Sequence, residues 1–291
     1  MCFFKDILKF FSELCNPKEE QIDHQEQQIN DIISNDIQNK DTNIYSYNNE
    51  NNIILEGNNL KIQNESGNLF NEDNILLNER GLMNGINKIS GVTKFGPNKF
   101  YDNNEPINDY IVNYNDSIDS LFTIKYFNDK KKYFINSETL LQNNTDSYLF
   151  LKITNKLKII EKDYYISLGE IHLKINSENN EKINILITYE DNTSNEYNFD
   201  KSKKNIMIGR ENCDIPLNTL NYSRIQCSII FDENENCWFF YDGNGIKESL
   251  NGCWLFLNFD WEINENIILR IGNNVFKISL ENNNDNNKNN Y

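Results

Sequence analysis

Apolar and polar residues alternate in short runs along the C-terminal third of the chain. Between residues 206 and 257 the sequence reads IMIGRENCDIPLNTLNYSRIQCSIIFDENENCWFFYDGNGIKESLNGCWLFL. The apolar runs at 206–208, 225–231, 237–241 and 254–257 are bounded by Gly, Asn and Asp. Runs of this length with period two, between turn-forming residues, are typical of short antiparallel strands. The pattern predicts an all-β fold, with a β-sandwich in this part of the chain.

Three polar clusters fall in the predicted loops between these strands: Gly209-Arg210, Ser223-Arg224 and Asn251-Gly252. The guanidinium of Arg210 is a charged fork that suits phosphate oxygens, and Gly209 allows a sharp backbone turn beside it. Ser223 offers a compact hydroxyl donor, and Arg224 adds a second cation. The side-chain amide of Asn251 both donates and accepts, which suits the main chain of an extended peptide.

The order and spacing of the three clusters, together with their flanking strands, resemble the forkhead-associated (FHA) domain, a β-sandwich that binds phosphothreonine peptides. The resemblance implies that Arg210 and Ser223 hold the phosphate and that Arg224 assists them. It also implies that Asn251 binds the peptide backbone next to the phosphothreonine. These four residues are the expected phosphopeptide-binding residues.

Gly209, Gln226 and Gly252 are expected to support the site structurally. The family pattern has a loop-supporting His where this chain has Gln226, whose amide can still hydrogen-bond the loop. A small hydroxyl residue commonly precedes the Asn in the family, whereas this chain has Leu250. Gly252 is expected to need a positive φ in its turn.

Each cluster also has a simpler interpretation. Asn-Gly alone is a common hairpin turn, and Gly-Arg or Ser-Arg alone is an ordinary surface dipeptide. The combination of all three favours a phosphate-competent site over a bare scaffold.

An upstream stretch repeats parts of this pattern in the same order. Residues 122–126 match 227–231, residues 148–151 match 254–257, and residues 166–175 match 269–278. Such pairs at nearly constant offset are what a duplicated domain would give. We therefore expect a degenerate FHA-like sandwich at 85–177 and an FHA domain at 178–281. An unrelated β domain, or an elaboration of one sandwich, is the alternative for 85–177.

The first copy is expected to have lost the site. Phe95-Gly96-Pro97 stands where Ile-Gly-Arg is needed, and Thr145-Asp146 stands where Asn-Gly is needed. Ser117 has no following Arg, and Asp116 and Asp119 surround it with negative charge that would repel a phosphate.

The N-terminal region carries a different pattern. Residues 1–16 place Phe3, Ile7, Phe11 and similar residues at helical spacing, which predicts an amphipathic helix ended by Asn16-Pro17. Because the polar face has mixed charge, docking on protein is favoured over contact with a membrane surface. Residues 17–84 are rich in Asn and Gln and are expected to be a mostly disordered linker, and 282–291 a disordered tail.

Composition narrows the function. The net charge of −16 and the pI of about 4.6 argue against a nucleic-acid backbone or an anionic membrane as the main partner. The six cysteines form no C-x-x-C pair and there are only two histidines, so we expect no metal site. We find no nucleophile–base pair in the strand-rich half and no nucleotide-binding glycine loop, so we expect no catalytic residues, no cofactor and no enzyme activity. Charged residues interrupt the first apolar run, which favours an intracellular protein, in the cytoplasm or nucleus, with reduced thiols.

The sequence thus predicts a phosphothreonine-peptide-binding module that mediates phosphorylation-dependent protein–protein interaction in signalling. The alternative is a structural or scaffolding protein whose FHA-like sandwiches no longer bind phosphate.

Overall fold

The computed structural model describes residues 59–83, 91–101, 104–114, 118–137, 148–217 and 219–281. Within these ranges the chain is all-β, as the alternating pattern predicts, and it contains no helix, hence none long and apolar enough to cross a membrane. The predicted N-terminal helix and C-terminal tail lie outside the described residues.

The strands are β1 (Asn59–Ser66), β2 (Ile75–Asn78), β3 (Gly81–Leu82), β4 (Val92–Gly96), β5 (Tyr110–Ile111), β6 (Phe122–Phe127), β7 (Lys132–Ser137), β8 (Leu149–Lys152), β9 (Leu157–Ile159), β10 (Tyr164–Ser167), β11 (His172–Glu178), β12 (Lys182–Thr188), β13 (Ser194–Asp200), β14 (Asn205–Gly209), β15 (Ile215–Pro216), β16 (Cys227–Asp232), β17 (Cys237–Asp242), β18 (Trp254–Phe256), β19 (Trp261–Ile263), β20 (Ile267–Ile271) and β21 (Asn274–Glu281).

These strands form one large sheet and two small ones. The large sheet has eleven strands in the order β13-β12-β11-β10-β18-β8-β20-β21-β1-β2-β3. The small sheets have five strands each, in the orders β15-β14-β16-β17-β9 and β19-β7-β6-β4-β5. Buried apolar residues of all three sheets belong to one continuous core, so the architecture is sandwich-like.

The two halves of the chain repeat the same strand pattern. Apart from β3, each strand from β1 to β11 has a counterpart with the same neighbours between β12 and β21. The closest parallel lies in the short parallel pairs, where Gly96 pairs with Ile111 and Gly209 pairs with Pro216 at the same step of the ladder. The first repeat thus begins at β1.

The repeats exchange their last three strands. β9 pairs with β17 of the second repeat, and β19 pairs with β7 of the first repeat. The first unit therefore consists of β1–β8 completed by β19–β21, and the second unit is the continuous stretch β9–β18. The expected boundary between sandwiches at 177/178 falls at the end of β11, and it does not separate the packed units, because β9–β11 lie in the second unit.

The two units meet where β8 pairs with β18 in the middle of the large sheet. Leu151 lies opposite Leu255 at the centre of this pairing. On either side, Ile153 N–H donates to Cys253 O (2.9 Å) and Leu257 N–H donates to Leu149 O (3.0 Å). This symmetric pairing makes 150 equivalent to 254, so the expected match of 148–151 with 254–257 is shifted by two residues.

The expected linker over 17–84 is wrong for its last part, because residues 59–83 form β1–β3. Leu60 and Ile62 in β1 and Ile75 and Leu77 in β2 are buried at alternate positions and complete the core of the first unit. The core there is aromatic, and the Phe276 ring stacks on Phe122 across the two layers at 5.6 Å. The positions of β1 that alternate with the buried residues are polar, namely Asn59, Lys61 and Gln63, so the short apolar alternation stands in a polar stretch of sequence.

Candidate functional site

The three polar clusters lie on loops at one end of the second unit. β14 runs antiparallel to β16, and β16 antiparallel to β17, with Ile208 opposite Cys227 and Cys227 opposite Asp242. The end of β14, the start of β16 and the end of β17 therefore share one edge of the sheet. The loops that follow or precede them are 210–214, 217–226 and 243–253.

Backbone hydrogen bonds join the first two loops. Arg210 N–H donates to Ser223 O at 3.2 Å, and Glu211 N–H donates to Arg224 O at 3.3 Å. The loops approach so closely that a Cβ atom at Gly209 would clash with the carbonyl oxygen of Arg224. Glycine at position 209 is thus required for the contact that places Arg210 beside Ser223.

Gln226 joins the second loop to the third. Its side chain is fully buried, and its Oε1 accepts a hydrogen bond from Ser223 N–H at 3.1 Å. Its Nε2 donates to Ser249 Oγ at 2.8 Å and to Gly252 O at 3.4 Å. The glutamine thus supports both loops, through contacts that its two-ended amide can make.

The predicted ligand-binding side chains Ser223 and Asn251 also bridge the loops. Ser223 Oγ accepts a hydrogen bond from Leu250 N–H at 2.8 Å, which leaves the hydroxyl proton for an outside acceptor. Asn251 Nδ2 donates to Asn221 O at 2.9 Å, and its second Nδ2 hydrogen and Oδ1 can still meet a ligand.

Gly252 has the positive φ expected of it, at 71°. Its N–H donates to Ser249 Oγ at 3.1 Å, so the same serine holds both Gly252 and Gln226. A residue with a side chain at 252 would be strained by its backbone conformation.

The two arginines share one carboxylate. Arg210 Nη2 lies 3.5 Å from Glu211 Oε1, and Arg224 Nε lies 3.4 Å from Glu211 Oε2. The side chain of Arg210 is 30% exposed and that of Arg224 is 77% exposed. Arg210 Nε is buried without a hydrogen-bond partner in the described part of the chain, so the fork of Arg210 is only partly used.

Sequence reasoning missed Glu211, Asn221 and Ser249. Glu211 directly follows Arg210, so its charge was visible in the sequence, but its position between two arginines depends on how the loops meet. Asn221 contributes only a carbonyl oxygen, which every residue has, and no pattern could have identified it.

A buried carboxylate lies beneath the third loop. Asp242 is 7% exposed, and its Oδ1 accepts hydrogen bonds from Ser249 N–H at 3.2 Å and from the Cys253 thiol at 3.3 Å. Burial, more than any neighbour, raises the pKa of Cys253, so this thiol stays protonated and acts as a donor. Through these two hydrogen bonds, Asp242 at the end of β17 holds the loop 243–253 against the sheet.

The corresponding end of the first unit is built differently. Pro97 follows Gly96 where Arg210 follows Gly209, and Leu121 occupies the ladder position of Gln226. Asn108, 2% exposed, fills the space between the loops and donates to Pro97 O at 2.9 Å and to Asp119 O at 2.6 Å. The expected replacements at 116, 117, 145 and 146 lie outside the described residues.

Among the described residues, no group of His, Cys, Asp and Glu side chains is arranged to hold a metal ion. Comparisons of the chain with protein-family models, with curated proteins and with solved structures find no match.

Proposed function

We propose that the second unit is an FHA-like module that binds phosphothreonine peptides and so mediates phosphorylation-dependent protein–protein interaction. The observation that carries the proposal is that hydrogen bonds join three loops at one end of the unit. These loops carry Arg210, Ser223 and Asn251. A phosphate dianion needs donors that converge from different directions, and these loops bring a guanidinium, a hydroxyl and an amide together.

The phosphate would replace the carboxylate of Glu211. The two contacts of Glu211 are long, and the side chains of Glu211 and Arg224 are largely exposed, so the ion pairs stabilise the free site only weakly. A phosphothreonine brings nearly two negative charges and three acceptor oxygens, more than the single carboxylate offers to the two guanidinium groups. Replacement of the Glu211 carboxylate by the phosphate dianion at the two arginines is therefore favourable.

The peptide backbone would lie along the third loop. The amide of Asn251 is held by Asn221 O in a fixed orientation, with one donor and one acceptor unused within the described part of the chain. A neutral hydrogen bond of this kind contributes about 0.5–1.5 kcal/mol, less than a charged contact to the phosphate. Asn251 would thus align the peptide while Arg210 provides most of the phosphate dependence.

A scaffolding role without phosphate binding is the second candidate. The observation that favours it is the bridge of Glu211 between both arginines, which leaves the three side chains with a net charge of only about +1. In that role the eleven-stranded sheet would hold the two units in a fixed arrangement, and the loops would serve only stability.

Calorimetric titration of the full chain with a matched pair of peptides, one with phosphothreonine and one with threonine, separates the two candidates. The peptides come from the best binders in a phosphothreonine library. Phosphopeptide binding should be lost in Arg210→Ala, not restored in Arg210→Lys, and unchanged in Lys201→Ala. Lys201 is a control cation at the opposite end of the unit, paired with Glu181 at 2.7 Å. Equal affinity for both peptides, or full binding by a folded Arg210→Ala chain, would favour the scaffold.

A further inference from the structure

The most exposed large apolar side chains of the described residues lie on the loops of the candidate site. Leu220 is 85% exposed, Leu250 is 86% exposed and Ile246 is 95% exposed. The other exposed large apolar side chains, which lie elsewhere, are between 45% and 55% exposed. Single exposed apolar residues are ordinary, but three on two joined loops need a reason.

The two leucines are fixed next to the proposed ligand contacts. Leu250 donates its own N–H to Ser223 Oγ at 2.8 Å, so its backbone is part of the phosphate site. Leu220 precedes Asn221, whose carbonyl oxygen holds Asn251 at 2.9 Å. Each leucine therefore flanks one of the residues that would contact the ligand, and the loop bonds hold both in place.

Ile246 lies earlier in the loop that carries Leu250. Asn244 Oδ1 accepts hydrogen bonds from Ile246 N–H at 3.0 Å and from Lys247 N–H at 2.8 Å, which folds this stretch into a turn. The turn presents the isoleucine side chain to solvent.

We propose that the ligand of this site is a phosphothreonine peptide with aliphatic or aromatic residues close to the phosphothreonine, and that Leu220 and Leu250 select it. This inference rests on the proposed function. The charge of Arg210 and Arg224 requires an anionic group, which excludes a purely apolar occupant. The flanking leucines gain nothing from free phosphate or from an acidic peptide, because only an apolar side chain removes their surface from water.

The test uses the full chain and a phosphothreonine peptide library that is degenerate at four positions on each side of the phosphothreonine. A second library of the same design carries unphosphorylated threonine. Wild type is compared with Leu220→Ser, Leu250→Ser and the double variant. Ile160→Ser is the matched control, since Ile160 is 46% exposed and follows β9 at the opposite end of the unit.

Wild type should enrich Leu, Ile, Val, Met or Phe at one or more flanking positions. Each single variant should weaken binding of the best apolar peptide about fivefold, and the double variant more than tenfold, since each leucine loses burial of most of a side chain. The double variant should still require the phosphate, and Ile160→Ser should behave as wild type.

The outcomes separate the two proposals. Phosphate-dependent binding without apolar enrichment, or with unchanged affinity in the double variant, overturns the role of the leucines and leaves the proposed function intact. Equal capture of both libraries overturns both. Sedimentation velocity on the same variants checks a third outcome, in which the leucine changes dissociate a dimer of the chain and leave peptide selection unchanged, and this too overturns the inference.

Discussion

Glu211 sets the charge of the candidate site. Its carboxylate lies 3.5 Å from Arg210 Nη2 and 3.4 Å from Arg224 Nε, in a partly exposed position. In the proposed function, a ligand phosphate must displace this carboxylate and then lie close to its negative charge. The residue therefore opposes binding, while it holds the two guanidinium groups together in the free site.

Glu211→Gln should strengthen phosphopeptide binding about threefold to tenfold at low ionic strength, because it removes one repulsive charge and one competitor. The gain should shrink in 0.5 M salt, where exposed charges are screened. Fluorescence anisotropy at two salt concentrations measures both effects. Glu233→Gln, which removes a carboxylate paired with Lys204 at the other end of β16, is the control. Weaker binding by Glu211→Gln would mean that the carboxylate organises the arginines rather than competes for them.

Gln226→Leu should lower the free energy of unfolding by about 2–4 kcal/mol. The change leaves Ser223 N–H and Ser249 without their buried partner and removes the connection between the loops. Denaturant titration measures the loss. Ser228→Ala, two residues further along the chain in β16, is the matched control, because its hydroxyl is buried without a hydrogen-bond partner among the described residues and its removal should cost little. If both variants unfold at the same denaturant concentration, Gln226 does not hold the loops.

The sequence identified the polar clusters of the site but not the way they are joined. Arg210, Ser223 and Asn251 stand out because charged or polar residues interrupt apolar strands at turn positions. Glu211 contacts Arg224, 13 residues later in the chain, and Ser249 contacts Gln226, 23 residues earlier. A local pattern carries no information on such contacts. The hydrogen bonds and ion pairs that join the loops can therefore be seen only in the folded structure.

At the scale of elements, the exchange of β9–β11 with β19–β21 is the main difference from the sequence prediction. The repeats were visible because β6 and β16, and β10 and β20, have matching apolar patterns. The exchange was not visible, because two similar strands can complete either small sheet with the same alternation. The two arrangements differ in which small sheet β9 and β19 join, and the structure pairs β9 with β17 and β19 with β7.

A cysteine pair should distinguish the two arrangements. In the exchanged chain Lys158 lies directly opposite Phe239, and Glu262 lies opposite Phe134. Without exchange, Lys158 would take the place of Glu262 opposite Phe134. Directly opposed residues have Cα atoms about 4.5–5.5 Å apart, which a disulfide can span.

The double variant Lys158→Cys with Phe239→Cys should therefore form a disulfide on mild oxidation. Lys158→Cys with Phe134→Cys should not. Peptide mass spectrometry after proteolysis assigns the bond among the native cysteines. A disulfide in the second pair, and none in the first, would contradict the exchange.

At the scale of the whole molecule, the eleven-stranded sheet joins the two units through β8 and β18. This sheet contains His172, whose protonation should change the stability of the folded chain. His172 starts β11, opposite Ser167 and Thr188. Burial, with a smaller contribution from the positive charge of Arg270, lowers the pKa of His172 to about 4. The folded chain thus keeps this imidazole neutral where the unfolded chain, with a His pKa of about 6.5, binds a proton.

The difference in proton binding between the folded and unfolded states makes the free energy of unfolding depend on pH. Below pH 6.5 the unfolded state binds a proton at His172, whereas the folded state binds it only near pH 4. The free energy of unfolding therefore falls as the pH is lowered through this window. Between pH 7 and 4.5, wild type should lose about 2 kcal/mol more unfolding free energy than His172→Gln, which cannot titrate. Denaturant titrations across this range measure the difference, and the comparison cancels the carboxylates common to both chains. Parallel pH profiles would contradict the lowered pKa.

The most direct test of the central claim is amide chemical-shift mapping by NMR on the full chain titrated with a phosphothreonine peptide. The account expects saturable shifts at Arg210, Ser223 and Leu250, with little change at the corresponding end of the first unit, at Gly96 and Leu121. The unphosphorylated peptide should cause none of these shifts. Shifts that concentrate on the first unit, or that are equal for both peptides, would contradict a phosphate site on the joined loops of the second unit.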